Sequence, residues 1–222
     1  AIAEEEEIRA LIEEGHQFVI ATGRGYGDIE VVANNLEIPI PYAIVQNGAF
    51  IYKDGVEVSA NTLTLDLINE IFAFIRAEKI PAEYISVTDD QWKMYIKTLT
   101  WKGWGVRRVY QKRDKHRHVT MKKTTLKTLE ANNHRFCKAL LLIQSKNIPA
   151  AEAKLKAHFG DRLSIFCSSN SSIEICAAGV SKAAAIRNIM AMEGLTEEYI
   201  GFVGDSGNDV GVFESFPHTY VM

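Results

Sequence analysis

No run of apolar residues in this chain approaches the roughly 20 needed to cross a bilayer as a helix. Nor does it open on the charged, apolar and small-residue pattern of a secretory leader, so the default expectation is a cytoplasmic protein. Cysteine is scarce. Cys137, Cys167 and Cys176 sit in apolar or strand-like runs without metal-ligand spacing, which fits reduced, buried thiols better than a disulfide framework. Charge is nearly balanced at a net −3, so the chain as a whole is no polycation. What it has instead is core material: 47% hydrophobic residues in a length of 222, enough for one large or two small domains.

The positive charge that exists is concentrated. From Lys102 to Lys138 there are twelve Lys and Arg residues against only Asp114 and Glu130, with Trp101, Trp104 and Tyr110 nearby.

Along the chain, Ile8, Leu11 and Ile12 give a helical stripe that Gly15 can stop. Gln17 to Ala21 is nearly all apolar, as a strand covered on both faces would be, and runs into Thr22-Gly23-Arg24-Gly25 before a helix from about Tyr26 to Leu36. After Pro39 and Pro41, Tyr42 to Val45 reads as the next buried strand, with Gln46-Asn47-Gly48 as its exit loop. Lys53-Asp54-Gly55 between two short apolar segments then signals a hairpin.

Beyond Ala60 the texture changes. A helix over Leu65–Ala77 precedes short alternating strands over 83–87, 93–97, 162–167 and 172–176, with Phe136–Ile143 as the longest apolar strand and helices near 120–131 and 150–159. That mixture predicts a small antiparallel sheet with helices on one face. After Gly179 the strand-helix alternation returns. Ser181 can cap a helix over Lys182–Met192, Gly194 can end it, and Tyr199 to Gly204 reads as a buried strand feeding another helix.

Three loops at strand ends carry compatible chemistry. In Gly204-Asp205-Ser206-Gly207-Asn208-Asp209, two carboxylates four residues apart stand at a sharp turn, beyond the carboxyl end of a strand where open sheets bind ligands. Carboxylates beside an anion-friendly helix start suit a hard cation holding a phosphate; the alternative is that Asp209 is an ordinary first-turn acid. Lys182 opposes the helix dipole, which a bound anion would justify and which a solvated lysine on an exposed turn would also satisfy. Thr22-Gly23 adds a hydroxyl and backbone N–H groups fit for phosphate oxygens.

In order, Ala21-Thr22-Gly23-Arg24, Asn47-Gly48-Ala49 with its hairpin, Gly179-Val180-Ser181-Lys182 and Gly204 to Asp209 resemble the Cof-type branch of the haloacid dehalogenase-like phosphatases. The resemblance spans both ends of the chain; the middle matches by texture alone. It implies an α/β fold, a Rossmann-like parallel-sheet core over 1–60 and 177–222 with an inserted α+β cap domain over 61–176. It also implies a Mg2+-dependent phosphatase working through an aspartyl-phosphate on a small phosphorylated metabolite, a sugar phosphate by family habit. Thr22 and Gly23 would hold the phosphoryl group, Lys182 balance its charge, Asn47 and Asn208 contact the substrate, Asp205 ligate Mg2+, and Asp209 orient the lysine or a metal-bound water. The family's Asp-x-Asp-Gly-Thr nucleophile motif has no counterpart in residues 1–222, and the resemblance places it upstream of Ala1, with further chain after Met222.

Two other readings compete. A polyanion or nucleic-acid binding module could use the basic segment 102–138, although the same charge on a cap would attract phosphorylated substrates. No nucleic-acid signature is present, so no nucleic-acid partner is expected, and no membrane; oligomeric state is open. A dinucleotide oxidoreductase would need G-x-G-x-x-G and a ribose-binding acid, and Gly23-Arg24-Gly25-Tyr26-Gly27 supplies neither.

Overall fold

The first helix, α1 (Ile2–Glu13), ends where Gly15 takes φ 96. The computed structural model in which it is seen describes residues 2–90, 93–101, 105, 129 and 134–222. Then follow β1 (Val19–Ala21), α2 (Tyr26–Leu36), β2 (Tyr42–Val45) and the hairpin β3 (Phe50–Lys53) and β4 (Val56–Ala60). Next come α3 (Leu65–Ala77), β5 (Ala82–Asp89), β6 (Met94–Thr98), β7 (Phe136–Ile143), α4 (Ile148–Phe159), β8 (Leu163–Ser169) and β9 (Ser172–Ala177). The described chain closes with α5 (Lys182–Glu193), β10 (Gly201–Gly204), the four-residue α6 (Val210–Phe213) and β11 (His218–Val221). The helix expected near 120–131 lies, Leu129 apart, outside the described residues.

The chain divides into two compact units. The first comprises Ala1–Asn61, Val180–Phe202 and Gly211–Thr219. Its sheet runs β1-β2-β3-β4, with β1 parallel to β2 and the hairpin antiparallel. The apolar faces of β2, β3 and α5 meet in one core of Tyr42, Ile44, Ile51, Ala183, Ala185, Ile186, Ile189 and Met190, joined by Val212 and Phe216. Each fully buried aliphatic side chain there contributes about 1.5–3 kcal/mol. Gly194, at φ 66, ends α5 as its composition predicts. β1 is half-buried along its length rather than covered, because among the described residues it has a strand on one side only.

The second unit comprises Thr62–Gly179, Val203–Val210 and Tyr220–Met222. Its five-stranded sheet, ordered β6-β5-β7-β9-β8, is antiparallel throughout, and β7, the most apolar strand, takes the centre. One register row runs Lys97, Ile85, Leu141, Ile173, Cys167 across the five strands. Lys97 Nζ stands 5.5 Å over the Phe72 ring of α3, and Cys167 Sγ lies 3.1 Å from Glu152 Oε2 of α4. Both helices therefore pack on that row's face, as predicted. Thr64 caps α3 by accepting from Leu67 N–H at 3.2 Å, and the 3–4 spacing of Ile68, Ile71 and Ile75 puts all three inside.

The strand expected to be buried at 199–204 is covered only in part. Among the described residues β10 pairs with β11 only; Gly201 and Val203 are exposed, while Gly204 is buried and Ile200 and Phe202 pack against the core of the first unit.

Candidate functional site

Thr22 follows β1 directly. Its N–H donates to the Ile44 carbonyl at 2.8 Å, carrying the parallel ladder one residue past the strand, and its Oγ1 accepts from Arg24 N–H at 3.2 Å. That acceptance uses a lone pair and leaves the hydroxyl proton to donate. The exit loop of β2 is stitched to this turn: Gln46 N–H donates to the Arg24 carbonyl at 2.8 Å and Asn47 N–H to the Thr22 carbonyl at 3.0 Å. Gln46 and Asn47 both hold left-handed backbone, φ 52 and 62, and are fully buried. Such geometry costs of order 1 kcal/mol or more per residue and persists where neighbours over-determine it, here through those two bonds.

Gly48 continues the loop at φ 100 and meets the start of α5 so closely that a Cβ would stand 2.4 Å from the Ser181 carbonyl oxygen. Ser181 caps the helix, its Oγ accepting from Ala184 N–H at 3.0 Å, and Lys182 follows in the first turn. Only 6% of Lys182 is exposed. The solvated-lysine alternative is thereby overturned. An ammonium in the first turn of a helix opposes the helix dipole, so its surroundings must compensate. Within this unit, then, Thr22 and Gly23, Asn47 and Lys182 form one connected group of loops.

In the second unit the Asp205–Asp209 loop separates its two acids. Asp209 is 2% exposed, and its Oδ2 accepts from Asp205 N–H at 3.2 Å and Ser206 N–H at 3.0 Å. With Ser206 returning a side-chain acceptance from Asp209 N–H, this is a capping box. Asp209 thus shapes the loop from inside. Asp205 is exposed, with Ser206 Oγ donating to its Oδ1 at 2.9 Å, and Asn208 is half-buried. Gly207 lies against β8, where a Cβ would come 2.2 Å from the Cys167 carbonyl oxygen. The Cys167 thiol is pushed up to about 11 by burial and by the Glu152 carboxylate, so it is no nucleophile near neutral pH.

Among the described residues no group of three His, Cys, Asp or Glu could hold a metal ion by itself. Asp205 still suits Mg2+: an accessible hard oxygen is what a cation needs when it keeps much of its water and takes other ligands from a substrate phosphate.

Most of the basic segment 102–138 lies outside the described residues, as do Trp92 and Trp104. Trp101 is 81% exposed, so it is not core packing. Two cations at the segment's end are engaged: Arg135 Nε lies 2.9 Å from Asp90 and Lys138 Nζ 2.9 Å from Glu174. The sequence reading passed over Gln46, whose buried Oε1 finds no hydrogen-bond partner among the described residues; a polar side chain directly after four apolar strand residues was the available signal.

Residues 3–222 match the family model described as haloacid dehalogenase-like hydrolase. A Mycoplasma pneumoniae protein provisionally named a phosphatase is 27% identical, over 93% of this chain and 72% of its own length. A haloacid dehalogenase-like hydrolase from B. subtilis superposes with a TM-score of 0.80 at 20% identity, covering 100% of this chain and 82% of that one. A structure described as a subclass IIB sugar phosphatase gives 0.70 at 17%, covering 98% and 78%.

Proposed function

The chain belongs to the haloacid dehalogenase-like hydrolases and is an enzyme of the phosphatase kind; from that premise we propose that it is a Mg2+-dependent hydrolase of small phosphorylated metabolites, sugar phosphates foremost. The working parts we assign are a discontinuous core, 1–60 and 177–222, and an inserted cap, 61–176, although Val203–Val210 and Tyr220–Met222 fall in the second compact unit. One observation carries the reading: a lysine is buried at a helix start, Ser181 beside it touches Gly48, and the Gly48 loop is bonded to the Thr22 turn. A buried cation close to a hydroxyl whose proton is left to donate supports the reading of a phosphate site.

Phosphoester hydrolysis gives each of these residues a task. The Thr22 hydroxyl donates to a phosphoryl oxygen, and Gly23 lets the backbone approach. Lys182 balances charge as it builds on the transferring group. Asn47 and Asn208 contact the substrate. Asp209, locked to the two amide donors, keeps the loop that presents Asp205 in one shape. Asp205 would hold Mg2+, which when bound neutralises phosphoryl oxygens and offsets the repulsion between phosphate and carboxylates.

The test is Lys182→Met, which keeps the apolar stem and removes the charge. Release of phosphate from a small ester should fall by about 10² or more in kcat/KM, as loss of a preorganised donor does. Unchanged turnover by a folded variant removes Lys182 from the site.

A further inference from the structure

Between α2 and the sheet of the first unit lies a cavity of about 230 Å³. Its helix side is Tyr26, Ile29, Glu30, Ala33 and Asn34, the i, i+3, i+4, i+7, i+8 stripe that shares one face of a helix. Across from it stand Ala43 of β2, Tyr52 of β3 and Gly55 of the hairpin turn. Side-chain size explains the space: Ala33, Ala43 and Gly55 end at a methyl group or less. Gly55 resists enlargement, since it holds φ 80 and a Cβ there would stand 3.3 Å from the Tyr26 hydroxyl. That hydroxyl therefore reaches across to the hairpin, and the Tyr26 ring stacks on Tyr52 with centroids 4.1 Å apart. Glu30 and Asn34, both exposed, stand at the solvent side. The Tyr26 hydroxyl, the Glu30 carboxylate and the Asn34 amide make no hydrogen bond or ion pair among the described residues. Burial and the nearby Glu30 carboxylate raise the Tyr26 phenol from its ordinary value, so it stays protonated at neutral pH.

We propose that this cavity is a binding site, separate from the Thr22, Lys182 and Asp205 loops, for a small organic ammonium ion with an apolar or aromatic body. Charge decides the sign of the ligand. Glu30 is the only charged residue lining the space, so an anion meets repulsion and a cation attraction. Hydrogen bonding decides the head group. An ammonium carries three donors and no acceptor, and the Glu30 carboxylate, the Asn34 carbonyl oxygen and the Tyr26 oxygen are three acceptors on one helix face. A hydrated divalent metal would find one carboxylate where such ions take several hard oxygens. The apolar wall decides the body: Ile29, Ala33 and Ala43 offer aliphatic surface, and Tyr52 an aromatic ring for stacking or for contact with the cation. At the packing density of protein interiors the space accepts roughly ten non-hydrogen atoms, the size of an arylethylamine. Binding of such an ion is independent of phosphate chemistry and is read without turnover.

Titration calorimetry on the intact protein at pH 7 and low salt tests this with two probes, tyramine and 4-ethylphenol, which share a body and differ in the ammonium group. Wild type should bind tyramine with a Kd of order 1 mM, as a ligand of this size allows, and 4-ethylphenol more weakly. Glu30→Gln changes an exposed side chain and keeps its shape. It should weaken tyramine about three- to tenfold and leave 4-ethylphenol within twofold. Ala33→Leu occupies the space and should abolish binding of both probes while melting at or above wild type. Should Ala33→Leu fail to fold, Glu30→Gln decides alone. Asp205→Asn is the control for capture by the other exposed acid and should bind tyramine as wild type does. Equal affinity of wild type for the two probes overturns the proposal, because the space then selects no ammonium. So does tyramine binding that Glu30→Gln leaves unchanged, or that Asp205→Asn alone removes, because the cation then sits elsewhere. Absence of any binding at tenfold the expected Kd overturns it outright.

Discussion

Replacing Gly48 by alanine puts a methyl group into the contact that joins the β2 exit loop to α5. At φ 100 an L-residue pays about 1–2 kcal/mol for left-handed backbone. The added Cβ would also stand 2.4 Å from the Ser181 carbonyl oxygen and 3.1 Å from Ala185 Cβ, and overpacking against backbone costs about 1–3 kcal/mol more. Gly15 is the control. It holds a similar φ of 96 with nothing among the described residues within 4 Å of a Cβ, so Gly15→Ala carries the backbone term alone. At this chain length each kcal/mol moves the melting temperature about 2–4 °C, so Gly48→Ala should melt about 10 °C below wild type and Gly15→Ala about 4 °C below. Calorimetric scans measure both. Because Lys182 follows Ser181, Gly48→Ala should also reduce kcat/KM at temperatures where it is fully folded, and Gly15→Ala should not. Equal melting temperatures for the two variants, or full activity of folded Gly48→Ala, would refute the claim that this contact positions α5.

Asp205→Asn should abolish most phosphate release, while the metal-free variant melts at or up to about 1 kcal/mol above metal-free wild type because a like charge has left the loop. Added Mg2+ should raise the melting temperature of the wild type more than that of the variant; an unstable Asp205→Asn that retains Mg2+-dependent turnover makes Asp205 structural. Reversing Lys112, Arg113 and Lys115 to Glu should reduce kcat/KM at low salt and flatten its dependence on ionic strength, and an unaltered salt profile argues against steering. Cys167, its thiol raised to about 11, should react with iodoacetamide at pH 8 far more slowly than a free thiol and accelerate as pH climbs toward 11; rapid labelling at pH 7 contradicts the Glu152 contact.

Elements with strong local signals were legible. The 3–4 spacing of Ile68, Ile71 and Ile75 and the uninterrupted apolar run of β7 each specify one structure from a short window, and Ser181 and Gly194 bracket α5 by side-chain chemistry alone. Exposure was not legible, because it depends on which strands pair. Tyr199 to Gly204 reads as buried, yet among the described residues β10 has only β11 beside it, and Gly201 and Val203 stay exposed. In the loops, residue types singled out Thr22, Lys182 and Asp205, but that Asp209 is buried while Asp205 is exposed follows from two backbone bonds that no spacing encodes. The left-handed backbone of Gln46 and Asn47 was equally hidden, since only Gly48 advertises such a conformation.

The first unit is assembled from distant parts of the chain, and this has a consequence during synthesis. Tyr42, Ile44 and Ile51 are covered by Ala183, Ile186, Ile189 and Met190, some 130 residues downstream. At about 5–20 residues per second, the ribosome leaves those side chains without their cover for roughly 7–26 s. Over that interval the five-stranded sheet of the second unit, whose strands all lie between residues 82 and 177, has the sequence it needs to form. The order of emergence therefore favours formation of that sheet before the core of the first unit closes, and exposes an apolar β-hairpin to chaperones or to neighbouring nascent chains until α5 arrives.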